Sequence, residues 1–350
     1  MNKVVFFSSF INETHVQFES SLLKVITTLY PNNEYIFVGN TYHIGLVIDQ
    51  LDSRTQIKTI EIWSSSRKSL MFDAFWRMLF IRNKSCVIHL TNYFPISVWT
   101  FFFLFANMNV IFMHAYWGDT QDRFLKIFYF FALYVFFLFK FKTKIFVLWE
   151  WIFNNIQKDR LFPKILKWNY SWINHPYFLH SISPDKIYTR SNLLNFGFFS
   201  WQSSNYKNIE NKDFLDVRDF ILSKWCKITI KPNIFLTSTQ YSSLFQSIDY
   251  LIFLSRDPAY QYRCSCVLTE AIFYQKPIIC FQSTITSHLF DKYGNIGFMY
   301  NSLQDMLNWI QLVIERSDDK IYHQQISNLS VARKDFVDIN KFRKNFKCFI

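Results

Sequence analysis

Residues 247–281 read SIDYLIFLSRDPAYQYRCSCVLTEAIFYQKPIICF, and the fold is decided by this stretch. Asp249 leads into an apolar run over 250–254, short and dense enough for a strand buried on both faces. A polar loop with Ser255, Arg256, Asp257 and Pro258 follows, and Arg263 lies close to its end. Ser265 stands where a helix N-cap is wanted, ahead of Val267, Leu268, Ala271 and Ile272 at helical spacing. Lys276-Pro277 stops that helix, and residues 278–281 supply the next buried strand. Strand, loop, helix, strand predicts a parallel βαβ crossover. A helix entered this way aims backbone N–H groups at its loop, a seat for phosphate, and Arg256 and Arg263 add positive charge there.

The combination of Asp249, Phe253-Leu254-Ser255, Leu268-Thr269-Glu270-Ala271 and Lys276-Pro277-Ile278-Ile279 resembles the C-terminal donor-site signature of GT-B glycosyltransferases. More narrowly, it is similar to the large retaining group called family 4. The resemblance implies an α/β chain of two Rossmann-like parallel-sheet domains facing a cleft. It implies that Glu270 hydrogen-bonds the ribose hydroxyls of a nucleotide-sugar, with the amides from Ser265 through Cys266 to Val267 facing the diphosphate. The donor-binding candidates are Glu270, Arg263, Ser265, Cys266, Thr269, Arg256 and Asp257. The match is close only over residues 247–281 and departs from the group at three places, one being the loop, which holds no glycine. Tyr262 stands where a second glutamate is usual, leaving Asp257 as the candidate replacement. Gln275 stands in place of the glycine before Lys-Pro. The competing reading is an ordinary amphipathic helix of a doubly wound protein.

At 350 residues the chain is long enough for two α/β domains, since single cores rarely grow far beyond 250–300 residues. The 42 Phe and 19 Tyr accompany abundant Lys, Asn and Ile, as an AT-rich gene produces, so aromatic content is no sign of base stacking. The net charge of +12 suits anionic partners: a phosphorylated donor, an acidic membrane leaflet or nucleic acid. No nucleic-acid-binding motif accompanies it, so nucleic acid is not expected as a partner. The six cysteines lack paired C-x-x-C spacing, and Cys264-x-Cys266 has no nearby ligands to complete a metal site. Reduced thiols in a cytoplasmic compartment are the expectation, and the N-terminus reads as a first strand rather than a signal peptide.

Strands are predicted at 4–7, 35–38, 57–62, 86–90, 110–113 and 145–148. Helices are expected where Phe18, Leu22, Ile26 and Leu29 share a face, and near 42–51 and 68–80. Alternation of this kind makes a parallel sheet, with ligands off the carboxyl ends of its strands. The strand at 110–113 runs into His114, Gly118 and Asp119. In the enzymes this chain resembles, a His or Asp of the first domain approaches the transferred sugar, which makes His114 and Asp119 the catalytic candidates. A core histidine and a helix cap are the alternatives. Residues 127–139 carry no charge and are flanked by Arg123, Lys126, Lys140, Lys142 and Lys144. A helix there would span about 20 Å against a ~30 Å hydrocarbon core. An interfacial helix is therefore expected, with a membrane hairpin and a buried helix as alternatives.

The expected division is an N-terminal acceptor-side domain over 1–192 and a C-terminal nucleotide-sugar domain with a basic tail over 193–350. The function implied is a glycosyltransferase, peripheral to the inner membrane and hexose-transferring. It would move sugar from the nucleotide donor to a lipid-linked saccharide acceptor in synthesis of O-antigen, lipopolysaccharide or capsule. No D-x-D sequence occurs, so a metal-independent reaction is expected, and the nucleotide-sugar is a substrate rather than a cofactor. Two alternatives remain: an inactive scaffold or binding subunit, suggested by Tyr262, and an integral membrane component of polysaccharide assembly.

Overall fold

The computed structural model describes residues 2–13, 15–51, 55–91, 108–113, 143–158, 170–174, 193–199, 209–232, 236, 238–255, 264–315 and 319–346. The chain divides into two compact units: residues 1–181 with 261–264 and 337–350, and residues 182–260 with 265–336.

The first unit is built on a seven-stranded parallel sheet. Its strands are β1 (Lys3–Ser8), β2 (Glu34–Asn40), β3 (Ile57–Ile62), β4 (Lys84–Thr91), β5 (Met108–Met113), β6 (Thr143–Leu148) and β7 (Tyr170–Ile173). Their spatial order is β3-β2-β1-β4-β5-β6-β7. The order reverses between β1 and β4, the switch point of a doubly wound sheet. Among the described residues, helices α1 (Val16–Leu29), α2 (Thr41–Ile48), α3 (Arg67–Leu79) and α4 (Glu150–Lys158) follow β1, β2, β3 and β6. Five of the six expected strands, at 4–7, 35–38, 57–62, 86–90 and 145–148, lie within observed strands, and Met108–Met113 contains the sixth. Helix α4 and strand β7 are short, with no clear cap or turn signal between them, so sequence pattern alone does not resolve them.

The second unit holds β8 (Asn195–Phe198), β9 (Lys227–Ile230), β10 (Tyr250–Phe253), β11 (Ile278–Phe281) and β12 (Gly297–Tyr300) in the order β12-β11-β10-β8-β9, all parallel. Its helices are α5 (Ile209–Ser223), α6 (Ser238–Ser247), α7 (Cys266–Phe273), α8 (Thr284–Tyr293), α9 (Leu303–Glu315) and α10 (Asp319–Phe336). The βαβ crossover expected from residues 247–281 is β10-α7-β11. In this unit Phe196, Tyr250 and Phe298 stack in succession at centroid spacings of 5.9 and 6.3 Å, and the exposed Trp309 continues the stack at 5.6 Å.

A last helix, α11 (Ile339–Phe346), belongs to the first unit rather than to the domain that precedes it in sequence. Its Phe346 ring lies 5.4 Å from Phe146, and Asn345 Nδ2 donates to the Trp172 carbonyl at 2.8 Å. Phe336, Phe342 and Phe346 are buried, so these aromatics of the basic tail serve packing.

Both units tie a helix end with a buried lysine. Lys84 Nζ donates to the Met78 and Ile81 carbonyls, at and just beyond the end of α3, at 2.6 and 2.8 Å. Lys276 Nζ does the same for Gln246 in the last turn of α6 and Ile248 just beyond it, at 3.1 and 2.6 Å. A cation at the negative end of a helix dipole satisfies carbonyls that the helix leaves open. Burial lowers the Lys276 pKa to about 8, partly offset by the charge of Asp249. The lysine of the Lys-Pro signature is thus a structural clasp. Asp249 is another: its Oδ2 accepts from the Asn195 amide at 2.8 Å, and its own amide donates to the Asn195 carbonyl at 2.7 Å, joining the starts of β8 and β10.

Gln275 explains the glycine it replaces. Its φ is 52°, the left-handed region, where a side chain costs about 1 kcal/mol and glycine costs nothing. Gln275→Gly should therefore raise stability by a few tenths to about 1 kcal/mol, the strain relieved being partly offset by glycine's extra unfolded-state freedom. A urea titration of the two proteins measures it, and a lower midpoint for the glycine variant would refute the strain.

Candidate functional site

In the second unit the strand order reverses between β8 and β10, and α7 starts beyond the carboxyl end of β10. Ligands of open parallel sheets bind at this kind of position. Ser265 is the N-cap of α7, in an extended conformation (φ −106°, ψ 112°), and its Oγ accepts from the Leu268 amide at 3.3 Å. The Thr269 hydroxyl donates to the Ser265 carbonyl at 2.9 Å. Both side chains therefore shape the helix entry, and it is the first-turn backbone amides that face the loop, together with the dipole's positive end. Cys266, the first residue of α7, is partly buried.

Glu270 lies one turn further along α7 and is 4% exposed. Its Oε2 accepts a short hydrogen bond from the phenol of Tyr241 on α6. Burial, then the charge of Glu270, raises the Tyr241 pKa well above its usual value, so the phenol keeps its proton and donates. The Tyr241 ring is held 5.3 Å from Phe245, which packs 4.2 Å from Phe199 and 5.1 Å from Tyr274. A carboxylate fixed by a phenol in a packed aromatic wall is a preorganised acceptor for hydroxyl donors such as a ribose diol. Sequence reasoning missed Tyr241. The four-residue spacing of Tyr241 and Phe245 marks the buried face of α6, but nothing local names the partner.

The structure brings Ser265, Cys266, Thr269 and Glu270 together on α7. Arg256, Asp257, Arg263, Tyr262, His114 and Asp119 lie outside the described residues, as does the apolar segment 127–139 with Lys140 and Lys142. No helix among the described residues is long and apolar enough to cross a membrane.

The first unit has a polar network of its own at the carboxyl end of β1, beside the β1/β4 switch. Ser8 Oγ donates to Glu19 Oε1 at 2.8 Å, while His43 Nε2 lies 2.9 Å from Glu19 Oε2. His43 Nδ1 reaches the Asn12 carbonyl at 2.5 Å, which ties the loop after β1 to α2. Both Glu19 and His43 are 0% exposed. The Asn12 carbonyl only accepts, so Nδ1 donates to it, and the charge and hydrogen bond of Glu19 favour a proton on Nε2 as well. Burial acts to lower the His43 pKa, but the Glu19 charge and hydrogen bond and the Asn12 carbonyl outweigh it and raise the value above 6.5. A raised native pKa gives stability that is fully present below pH 6.5 and is lost as pH rises through the native value. Glu19→Gln removes the charge that holds the proton. The melting-temperature gap between wild type and Glu19→Gln should be largest below pH 6.5 and shrink as pH rises above it. A gap that is constant or grows with pH would mean that His43 is neutral.

No protein-family model and no curated protein matches this sequence. Solved structures do. A glycosyltransferase from Rickettsia africae is similar over 99% of this chain and 97% of its own, at 13% identity and a TM-score of 0.67. Anabaena HepE in complex with UDP and glucose covers 99% and 98%, at 12% identity and a TM-score of 0.65. Staphylococcus aureus MnaA bound to UDP covers 100% and 98%, at 12% identity and a TM-score of 0.60. At such identities the likeness speaks of architecture alone: two parallel-sheet units in the GT-B fold.

Proposed function

We propose that this chain is a glycosyltransferase that takes its sugar from a nucleotide-sugar bound at the start of α7. The observation that carries this reading is the Glu270 carboxylate, held by Tyr241 at the switch point of the second sheet. The ribose hydroxyls of the donor bond to Glu270, and the diphosphate sits against the first-turn amides of α7. In the transfer, the bond between the anomeric carbon and the diphosphate oxygen breaks, and the acceptor hydroxyl oxygen bonds to that carbon and gives up its proton. Negative charge grows on the leaving diphosphate, where the α7 dipole, Arg256 and Arg263 stabilise it without a metal ion. His114 and Asp119 are assigned to the sugar, with Asp257 as the second donor-site acid. Resemblance to family 4 supports retention of anomeric configuration. The basic charge supports a lipid-linked saccharide acceptor at the inner membrane face, in surface polysaccharide synthesis.

HepE was solved with UDP and MnaA with UDP, which makes a uridine donor the first to test. Ligand present at a hundred times its Kd stabilises the folded state by about 2.7 kcal/mol. A panel of UDP-, GDP- and ADP-sugars should therefore include one that raises the melting temperature, with the UDP series expected to do so. If none does, the donor site fails as assigned. If one does and no acceptor from a membrane extract is glycosylated, the scaffold reading motivated by Tyr262 replaces the enzyme.

A further inference from the structure

Helix α3 has two apolar faces. Leu70, Met71, Ala74 and Met78 are buried in the core of the first unit, with Val5, Val38 and Val87 in the same cluster. On the opposite face Phe72, Trp76 and Phe80 follow one another at four-residue spacing, and they are 64%, 49% and 79% exposed. Trp63, just ahead of the helix, is 85% exposed. These aromatics lean on one another: the Trp76 ring lies 6.2 Å from Phe72 and 5.3 Å from Phe75, both edge-on. An amphipathic surface helix needs one apolar stripe, and the core already occupies it. A second stripe of large aromatics on the outside signals a contact surface.

Its surroundings identify what it contacts. Lys68 and Arg77 on the helix and Arg82 just beyond it are exposed, against Asp73, also exposed, as the only acid on the helix. We propose that the outer face of α3 is a docking surface for an anionic lipid leaflet, with the helix axis lying in the plane of the membrane interface. Phe72, Trp76 and Phe80 enter the boundary between headgroups and acyl chains, where Trp is favoured, while the three cations meet lipid phosphates. The net charge of +12 attracts the whole chain to such a surface. A second copy of the chain is a poorer occupant, because a two-fold interface would set Lys68, Arg77 and Arg82 against their own images.

This inference deepens the proposal of a membrane-associated acceptor and rests on it for its biological meaning, but it is tested without turnover. The full chain is sedimented with vesicles of phosphatidylglycerol mixed with phosphatidylcholine, and with phosphatidylcholine alone. Wild type should bind the anionic vesicles, less tightly as salt rises. Phe72→Ser/Trp76→Ser/Phe80→Ser should bind at least ten-fold more weakly, with the melting temperature of wild type, since these side chains do not support the core. Lys68→Gln/Arg77→Gln/Arg82→Gln should bind with a shallower salt dependence. Wild-type binding by the aromatic variant would overturn the proposal and move the contact to another surface. A wild type that is dimeric and an aromatic variant that is monomeric by size exclusion would also overturn it, in favour of a copy-to-copy interface. Stabilisation by nucleotide-sugar, measured on the same variants, reports on the donor site separately, so failure of one reading is not failure of the other.

Discussion

Replacing Gly297 by alanine will break the outer edge of the second sheet. Gly297 is the first residue of β12 and pairs with Ile278 of β11. A Cβ at this position would lie 2.0 Å from the Ile278 carbonyl oxygen, 2.4 Å from its nitrogen and 2.7 Å from its carbonyl carbon. These are backbone atoms, so no rotamer change can relieve the overlap. Nor can β11 retreat: its Ile278 amide donates to the Ile296 carbonyl, and Leu251 of β10 is bonded to the Pro277 carbonyl just before it. The φ of +152° adds to the strain. The cost should reach the upper end of overpacking effects, about 3 kcal/mol or more. For a unit of this size that is a fall in melting temperature of roughly 6–12 °C. Gly197 is the control. A Cβ there would meet side-chain atoms of Ile248 and Phe199 at 2.5 and 2.6 Å, and these can shift. Gly197→Ala should thus cost less than Gly297→Ala, and the reverse order would show that β12 gives way more easily than its pairing suggests.

Glu270→Gln will weaken nucleotide-sugar binding about two- to thirty-fold while leaving the protein folded. The amide has nearly the shape of the carboxylate and still offers Tyr241 an oxygen, so the aromatic wall around Tyr241, Phe245 and Phe199 has no reason to rearrange. What is lost is the charge on the acceptor. A hydrogen bond to a charged group contributes about 1.5–3 kcal/mol against about 1 for a neutral one, and each 1.4 kcal/mol is ten-fold in affinity. Tyr241→Phe should produce a smaller loss, because it removes the bond that orients Glu270 and leaves the charge. Isothermal titration with the donor found in the thermal screen measures both. Wild-type affinity in Glu270→Gln, together with a lowered melting temperature, would make Glu270 a packing residue of α7.

Much of the second unit was legible from one stretch of sequence. The β10-α7-β11 crossover follows from apolar runs of strand length, a serine N-cap and a Lys-Pro stop, all of which act over a few neighbouring residues. The segment over 150–174 was not, since its helix and strand are short and no clear cap or turn signal separates them. The roles inside the signature were legible only in part. For Glu270 the resemblance implies a ligand role, which the titration of Glu270→Gln tests. The clasp of Lys276 to the end of α6 and that of Asp249 to Asn195 were not foreseen, because each joins residues far apart in the chain.

By itself, then, the sequence determined the class: two α/β units, parallel strands, a helix N-terminus beyond β10, and an acid one turn along it. These are consequences of hydrophobic period, capping and turn chemistry, which are local. Tertiary structure alone decided the strand orders that create the two switch points, the phenol of Tyr241 on the Glu270 carboxylate, and the proton that Glu19 holds on His43 from 24 residues away. It also decided the return of α11 to the first unit and the outward turn of Phe72, Trp76 and Phe80. Each depends on which surfaces meet when distant segments pack, and no window of neighbouring residues carries that information.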